Sequence, residues 1–144
     1  VRWVAAQSVL MVAIVAACAR LSHPHAPVAR AIGGAMVVAG LALFVWAART
    51  MGRSFTALPT PRPDGELVTS GPYRAVRHPV YSALLLALSG ACIALAPVAL
   101  PGAVALATLW WCKAGVEERH LRSLFPAYAP YAARVRARII PWVL

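Results

Sequence analysis

Acidic side chains are scarce in this chain: four Asp and Glu stand against 14 Lys and Arg among 144 residues, a formal net charge of +10. Charged residues of both signs make up only 12%, against roughly 25% in soluble domains, while hydrophobic residues reach 61%. A basic, soluble nucleic-acid-binding domain does not combine its positive charge with a mean hydropathy of +0.71, so no nucleic acid partner is expected. Cysteine is also sparse. Cys18, Cys92 and Cys112 lie within or at the end of apolar segments without Cys-x-x-Cys spacing, which excludes a disulfide framework and a zinc site and leaves no metal centre indicated. They read as small buried hydrophobes.

Long apolar runs are what the chain has in place of charge. Residues 3–21, 31–48, 79–96 and 98–112 are almost uninterrupted hydrophobic sequence, and at 1.5 Å per residue such runs approach the roughly 30 Å hydrocarbon core of a bilayer. The first exceeds the roughly 7 to 15 residues of a signal-peptide core. His23, Pro24, His25 and Pro27 interrupt the first two runs, and the break at Ala96-Pro97 makes the last two a hairpin. The fourth run is short for a span unless Lys113 snorkels or the helix continues. Ala31, Ala35 and Ala39, and again Ala83, Ala87 and Ala91, form small-residue stripes that let helices approach closely. The expected fold is all-α: one transmembrane domain over 1–144 with four spanning helices and a cytoplasmic C-terminal helical segment.

Charge placement orients this arrangement. Twelve basic residues flank one side of the four spans, including Arg2, Arg49, Arg53, Arg62, Arg74 and Arg77, and only Arg20 and Arg30 the other. The positive-inside rule then puts both termini in the cytoplasm of a bacterial-type inner membrane. Trp3, Trp46, Trp110 and Trp111 sit near span ends, as interfacial anchors do. Residues 49–78 form the one long polar stretch, where Pro59, Pro61 and Pro63 lead into Asp64-Gly65, extended chain ending in a turn. Loops of this length are often functional.

Chemistry concentrates at the end of that loop, in Gly71-Pro-Tyr-Arg-Ala-Val-Arg-His-Pro-Val-Tyr81. A helix starting at Pro79 offers free N–H groups and positive potential, to which Arg77 adds a full charge, so a carboxylate or phosphate is suited there. Interface anchoring explains each residue separately but not the Arg-His-Pro order. Glu117 and Glu118 are half of all the acids. On a helix Glu117 shares a face with Ala114, Leu121 and Leu124 and points inward, where it needs Arg77, Lys113 or a polar ligand; Glu118 stands to one side within reach of Arg122.

The run from Gly65 through Arg77-His78-Pro-Val-Tyr81, the Glu117-Glu118 pair, Phe125, Tyr128, Tyr131 and the ending Arg138-Ile-Ile-Pro141 resembles the isoprenylcysteine carboxyl methyltransferase and phospholipid methyltransferase group. The likeness covers residues 52–141 and implies a catalytic core at 52–144, preceded by two spans within 1–51. It implies an S-adenosylmethionine-dependent methyltransferase acting on a lipid or amphiphilic acceptor in the membrane. The cofactor pocket would be formed by Gly71, Tyr73, Arg77, His78, Tyr81, Glu117 and Glu118, with Arg77, His78 and Arg138 as catalytic residues. In physical terms Arg77 suits the cofactor's carboxylate, Glu117 its ribose hydroxyls or amino group, and Tyr73 or Tyr81 supplies an aromatic face or a hydroxyl. A carboxylate or thiolate acceptor needs no base, whereas an amine brings in His78 or His120. Arg134, Arg136 and Arg138 serve either an anionic acceptor or anionic lipid headgroups. Pro126 and Pro130 depart from the group's pattern and are expected to stop helices. Two other readings stay open: a membrane reductase using NADPH, and a non-catalytic ligand sensor or assembly protein on the same core.

Overall fold

The computed structural model describes residues 2–22, 26–52 and 66–141. Residues 23–25 and 53–65, with Pro59, Pro61, Pro63 and Asp64-Gly65, lie outside the described residues. Within them the chain forms helices and no strand: α1 (Arg2–Arg20), α2 (Pro27–Met51), α3 (Pro79–Leu95), α4 (Leu100–Leu124) and α5 (Tyr128–Arg134), with 3₁₀ turns at Gly71–Arg74 and Pro97–Ala99. Pro27 and Pro79 open their helices, where a missing N–H costs nothing. Pro126 falls between α4 and α5, but Pro130 sits in the first turn of α5 and does not end it.

Among the described residues, three helical stretches are long and apolar enough to cross a membrane: Arg2–Arg20, Pro27–Met51 and the continuous Pro97–Leu124; α3, at 17 residues, is shorter. The last stretch continues well beyond Cys112, and Lys113 does not snorkel, because it is buried. Val9, Val12, Val15, Val38, Leu41 and Val104 are exposed, an apolar surface suited to lipid and not to water.

α3 is the central helix, touching α1, α2 and α4. Its closest seam is with α2, whose buried residues Gly33, Gly40 and Ala47 recur every seven positions. A Cβ on Gly33 would lie 2.4 Å from the Gly90 carbonyl oxygen, and one on Gly40 2.7 Å from the Ala83 oxygen, so the two backbones meet directly. Ala83 and Ala87 join this seam as expected, but Ala31, Ala35 and Ala39 are exposed. Glycine wins the interface because only a residue without Cβ permits this approach.

Ile14 and Cys18 of α1, Leu88 and Cys92 of α3, and Leu106 and Trp110 of α4 form the main core. Trp110 has no exposed surface, so it is a core residue and not an interfacial anchor. A second cluster joins Tyr128, Tyr131, Ala132 and Val135 to Leu67, Leu121 and Phe125. Beyond α5 the chain returns over the start of α3. The Arg77 amide donates to the Ala137 carbonyl at 3.0 Å, the His78 amide to the Arg138 carbonyl at 2.9 Å, and the Ser82 hydroxyl to the Ile139 carbonyl. The Tyr81 and Ser82 amides both go to the His78 carbonyl and Pro79 has none, so the start of α3 is not the open anion nest expected from its sequence.

Candidate functional site

Local backbone geometry delivers the motif residues to one place. Gly71 has φ +55°, and a Cβ there would meet Thr50 Oγ1 at 2.9 Å and Thr50 Cγ2 at 3.1 Å, so glycine both permits the turn and lets it dock on the end of α2. Pro72 and Tyr73 follow, both buried. The Tyr131 hydroxyl of α5 donates to the Tyr73 carbonyl at 2.7 Å. The turn is thus fixed between α2 and α5, and the C-terminal strap then holds Arg77 and His78 over the late part of α4.

There they meet Glu118, which is 4% exposed. Arg138 grips it with two nitrogens, Nε to Oε1 at 3.0 Å and Nη2 to Oε2 at 3.2 Å. Arg77 Nε lies 3.2 Å from Oε1 without its N–H pointing at that oxygen. His78 Nε2 is 3.3 Å from the same atom. Arg138 is also stacked on Trp111, 4.8 Å from the ring centre. Glu118 is therefore the hub of the cluster and not a side-standing partner of Arg122, which lies over the Tyr128 ring instead. With Glu117, α4 presents two adjacent carboxylates to partners from the start of α3 and from the chain beyond α5.

Glu117 accepts from the Tyr81 hydroxyl at 2.6 Å and lies 3.6 Å from Lys113 Nζ. His78 Nδ1 is 3.5 Å from its other oxygen, so the imidazole bridges the two carboxylates with one ring nitrogen toward each. Tyr81 stacks between His78 and Trp110, with centroids 5.5 and 5.4 Å away. Both its faces are thus occupied, and its hydroxyl is engaged by Glu117.

Of the residues singled out by the sequence, Arg77, His78, Tyr81, Glu117, Glu118 and Arg138 converge. Tyr73 borders the group through Tyr131, and Gly71 lies apart against α2. His120 is exposed, with Nδ1 2.9 Å from the Val116 carbonyl; Arg134 and Arg136 are exposed as well. Lys113 reaches Glu117, one of the partners the sequence offered it, while Gln7 and Trp110 join the cluster's surroundings through contacts that motif spacing does not reveal. Among the described residues, no three His, Cys, Asp or Glu side chains gather as a metal site does.

Among the described residues, three buried polar atoms lack a hydrogen bond: the hydroxyls of Tyr73 and Tyr128, and Arg77 Nε. Burial pushes the Tyr131 phenol up to about 12, and burial raises Tyr73 and Tyr128 as well. All three are neutral donors near pH 7. Beside the cluster a cleft of about 600 Å³ opens, lined by Glu118 and Arg138, by Trp3 and Trp111, and by Arg119 and Arg122 among others.

Residues 28–127 match the phospholipid methyltransferase family. The match begins with α2, earlier than the motif-bearing stretch from residue 52, and stops before Arg138. The cobalt-zinc-cadmium resistance protein CzcN of Cupriavidus metallidurans is 40% identical over 91 residues, which cover 61% of this chain and 42% of that protein. The chain spans less than half the length of this relative.

Proposed function

The chain belongs to the phospholipid methyltransferase family, and from that premise we propose that it is a four-span membrane enzyme moving a methyl group from S-adenosylmethionine to a lipid or amphiphilic acceptor at the cytoplasmic face. The observation that carries this reading is the convergence of Arg77, His78 and Tyr81 from one helix start with Glu117 and Glu118 from another helix, closed by Arg138. The Tyr73 and Tyr128 hydroxyls, which make no hydrogen bond among the described residues, fit a polar ligand, since buried polar groups in native proteins ordinarily have partners. The two guanidiniums of Arg77 and Arg138 beside the carboxylates likewise suit a ligand carrying a carboxylate.

When bound, the cofactor supplies an electrophilic methyl on a sulfonium. Arg77 and Arg138 would hold its carboxylate, and Glu117 would accept from its amino group or ribose hydroxyls. Tyr81 keeps Glu117 oriented through its hydroxyl. Transfer is an in-line displacement, so the residues act chiefly by alignment and by excluding water. His78 is the group placed to take a proton from an amine acceptor at a ring nitrogen. Arg119 and Arg122 at the cleft draw an acidic headgroup, while Trp3 and Trp111 receive its apolar part.

Calorimetry on the detergent-purified protein tests this directly. Heat is expected with S-adenosylmethionine or its demethylated product and none with NADPH, and a methyl-labelled donor is expected to label a total lipid extract. Heat with NADPH alone would turn the reading to a reductase. Cofactor binding without labelled product across a broad panel of acceptors would turn it to a sensor.

A further inference from the structure

The chain contains no Asn and a single Gln, Gln7. It sits on α1, outside the family-matched residues, in a helix that is otherwise almost wholly apolar. Polar side chains in such a setting are costly and tend to mark function. Its amide oxygen accepts two hydrogen bonds, from Trp110 Nε1 at 3.2 Å and from Lys113 Nζ at 3.1 Å. Both donors come from α4 and both touch Tyr81: Trp110 stacks on its ring, and Lys113 Nζ lies 5.3 Å from the ring centre. Lys113 Nζ also approaches Glu117 Oε1, the oxygen that receives the Tyr81 hydroxyl.

We infer that Gln7 and Lys113 are positioning residues, a relay by which α1 holds the Tyr81–Glu117 pair in the geometry that receives the cofactor. Two donors converging on one acceptor fix the amide's orientation, because its NH₂ end offers nothing to accept them. The ammonium is then held between Gln7, Glu117 and the Tyr81 ring, and swinging away would leave it buried without those partners. Trp110, held at its indole nitrogen, presents its face to Tyr81 and keeps that ring from tilting. The first helix thus acts as part of the site despite carrying none of the family's motif residues. This inference rests on the methyltransferase reading, and the experiment separates the two.

Affinity for S-adenosylhomocysteine is measured by calorimetry, and KM for the lipid acceptor by methyl-label transfer, in the wild type, Gln7→Leu, Gln7→Glu, Lys113→Met and the double variant Gln7→Leu/Lys113→Met, each with its melting temperature. Gln7→Leu is expected to weaken the nucleoside about tenfold, the scale of one charge-assisted hydrogen bond, while the acceptor KM stays within about twofold. Gln7→Glu keeps the accepting oxygen and is expected to retain wild-type affinity. The double variant removes the Lys113 donor along with the Gln7 acceptor and leaves only the Trp110 indole N–H without its partner, so its melting temperature is expected to rise above that of Gln7→Leu while its affinity stays low. That divergence is what a structural role alone does not produce. A wild type that binds, with Gln7→Leu binding equally well, overturns the relay and leaves the methyltransferase reading intact. Recovery of affinity together with stability in the double variant makes Gln7 structural only. A wild type that binds neither the nucleoside nor its methylated parent overturns both.

Discussion

Glu118 gathers Arg138, Arg77 and His78 on one carboxylate that is almost wholly buried. Removing the shared carboxylate leaves the Arg77 and Arg138 guanidiniums without their common counterion; breaking a buried pair typically costs about 3–5 kcal/mol. Glu118→Gln keeps the shape and discards the charge, so it is expected to lower the melting temperature in detergent markedly and to abolish cofactor binding. Glu117→Gln, whose partners Tyr81 and Lys113 retain other contacts, is expected to weaken the cofactor while melting near wild type. Equal melting of the two variants would refute this ranking, and thermal unfolding followed by size exclusion measures it. The sequence makes the Glu-Glu pair and the Arg-His-Pro-x-Tyr motif conspicuous, yet it suggests the reverse ranking. Helix phase alone sends Glu117 inward and Glu118 toward Arg122. What reverses this is Arg138, brought onto Glu118 by the strap that pairs residues 137–139 with the start of α3. Neither helical periodicity nor motif spacing encodes that return of the chain.

At the scale of helices, the α2–α3 seam is where the fold is least tolerant. Glycine at position 40 faces backbone atoms, the Ala83 oxygen and the Ala87 nitrogen, both 2.7 Å from where a Cβ would stand, and neither can yield as the end of a flexible side chain would. Gly40→Val must push the helices apart, and overpacking of this kind costs about 1–3 kcal/mol. Lower yield of folded, monodisperse protein is expected. Gly34→Ala supplies the control in the same helix, since nothing lies within 4 Å of the added carbon, and its yield and melting temperature are expected to match wild type. A Gly40 variant as robust as the Gly34 one would mean that the seam is not a close backbone contact. The helices themselves are legible in the sequence, because apolar length and flanking proline specify them directly. The phase of α2 is not, because a helix apolar on every side offers lipid and neighbour the same chemistry. Alanine spacing at 31, 35 and 39 is then as plausible a seam as glycine spacing at 33 and 40. Packing decides in favour of the residues that lack Cβ.

At the scale of the whole molecule, the cluster and the inter-helix break together bear on how many times the chain crosses. His78, capping α3, lies 3.3 Å from Glu118 near the end of α4, and the short turn Pro97–Ala99 joins the far end of α3 to the start of α4. The two helices are therefore antiparallel over the same depth, and a bilayer crossed by α4 between Leu100 and Glu118 is crossed by α3 as well. Seventeen residues give about 26 Å at 1.5 Å each, slightly less than the roughly 30 Å core, so local thinning or the polar residues flanking α3 must accommodate the difference. Four crossings, as proposed above, would put the twelve basic residues on one side and Arg20 and Arg30 on the other. Single cysteines introduced after Cys18→Ala, Cys92→Ala and Cys112→Ala test this, using the exposed positions Ser22→Cys, Arg74→Cys and Val98→Cys. In intact cells a membrane-impermeant maleimide is expected to label positions 22 and 98, and position 74 only after permeabilisation. Labelling of 74 and 98 from the same side would place both ends of α3 on one face of the membrane. The antiparallel hairpin would then not span, and the positive-inside assignment of the site would lose its basis.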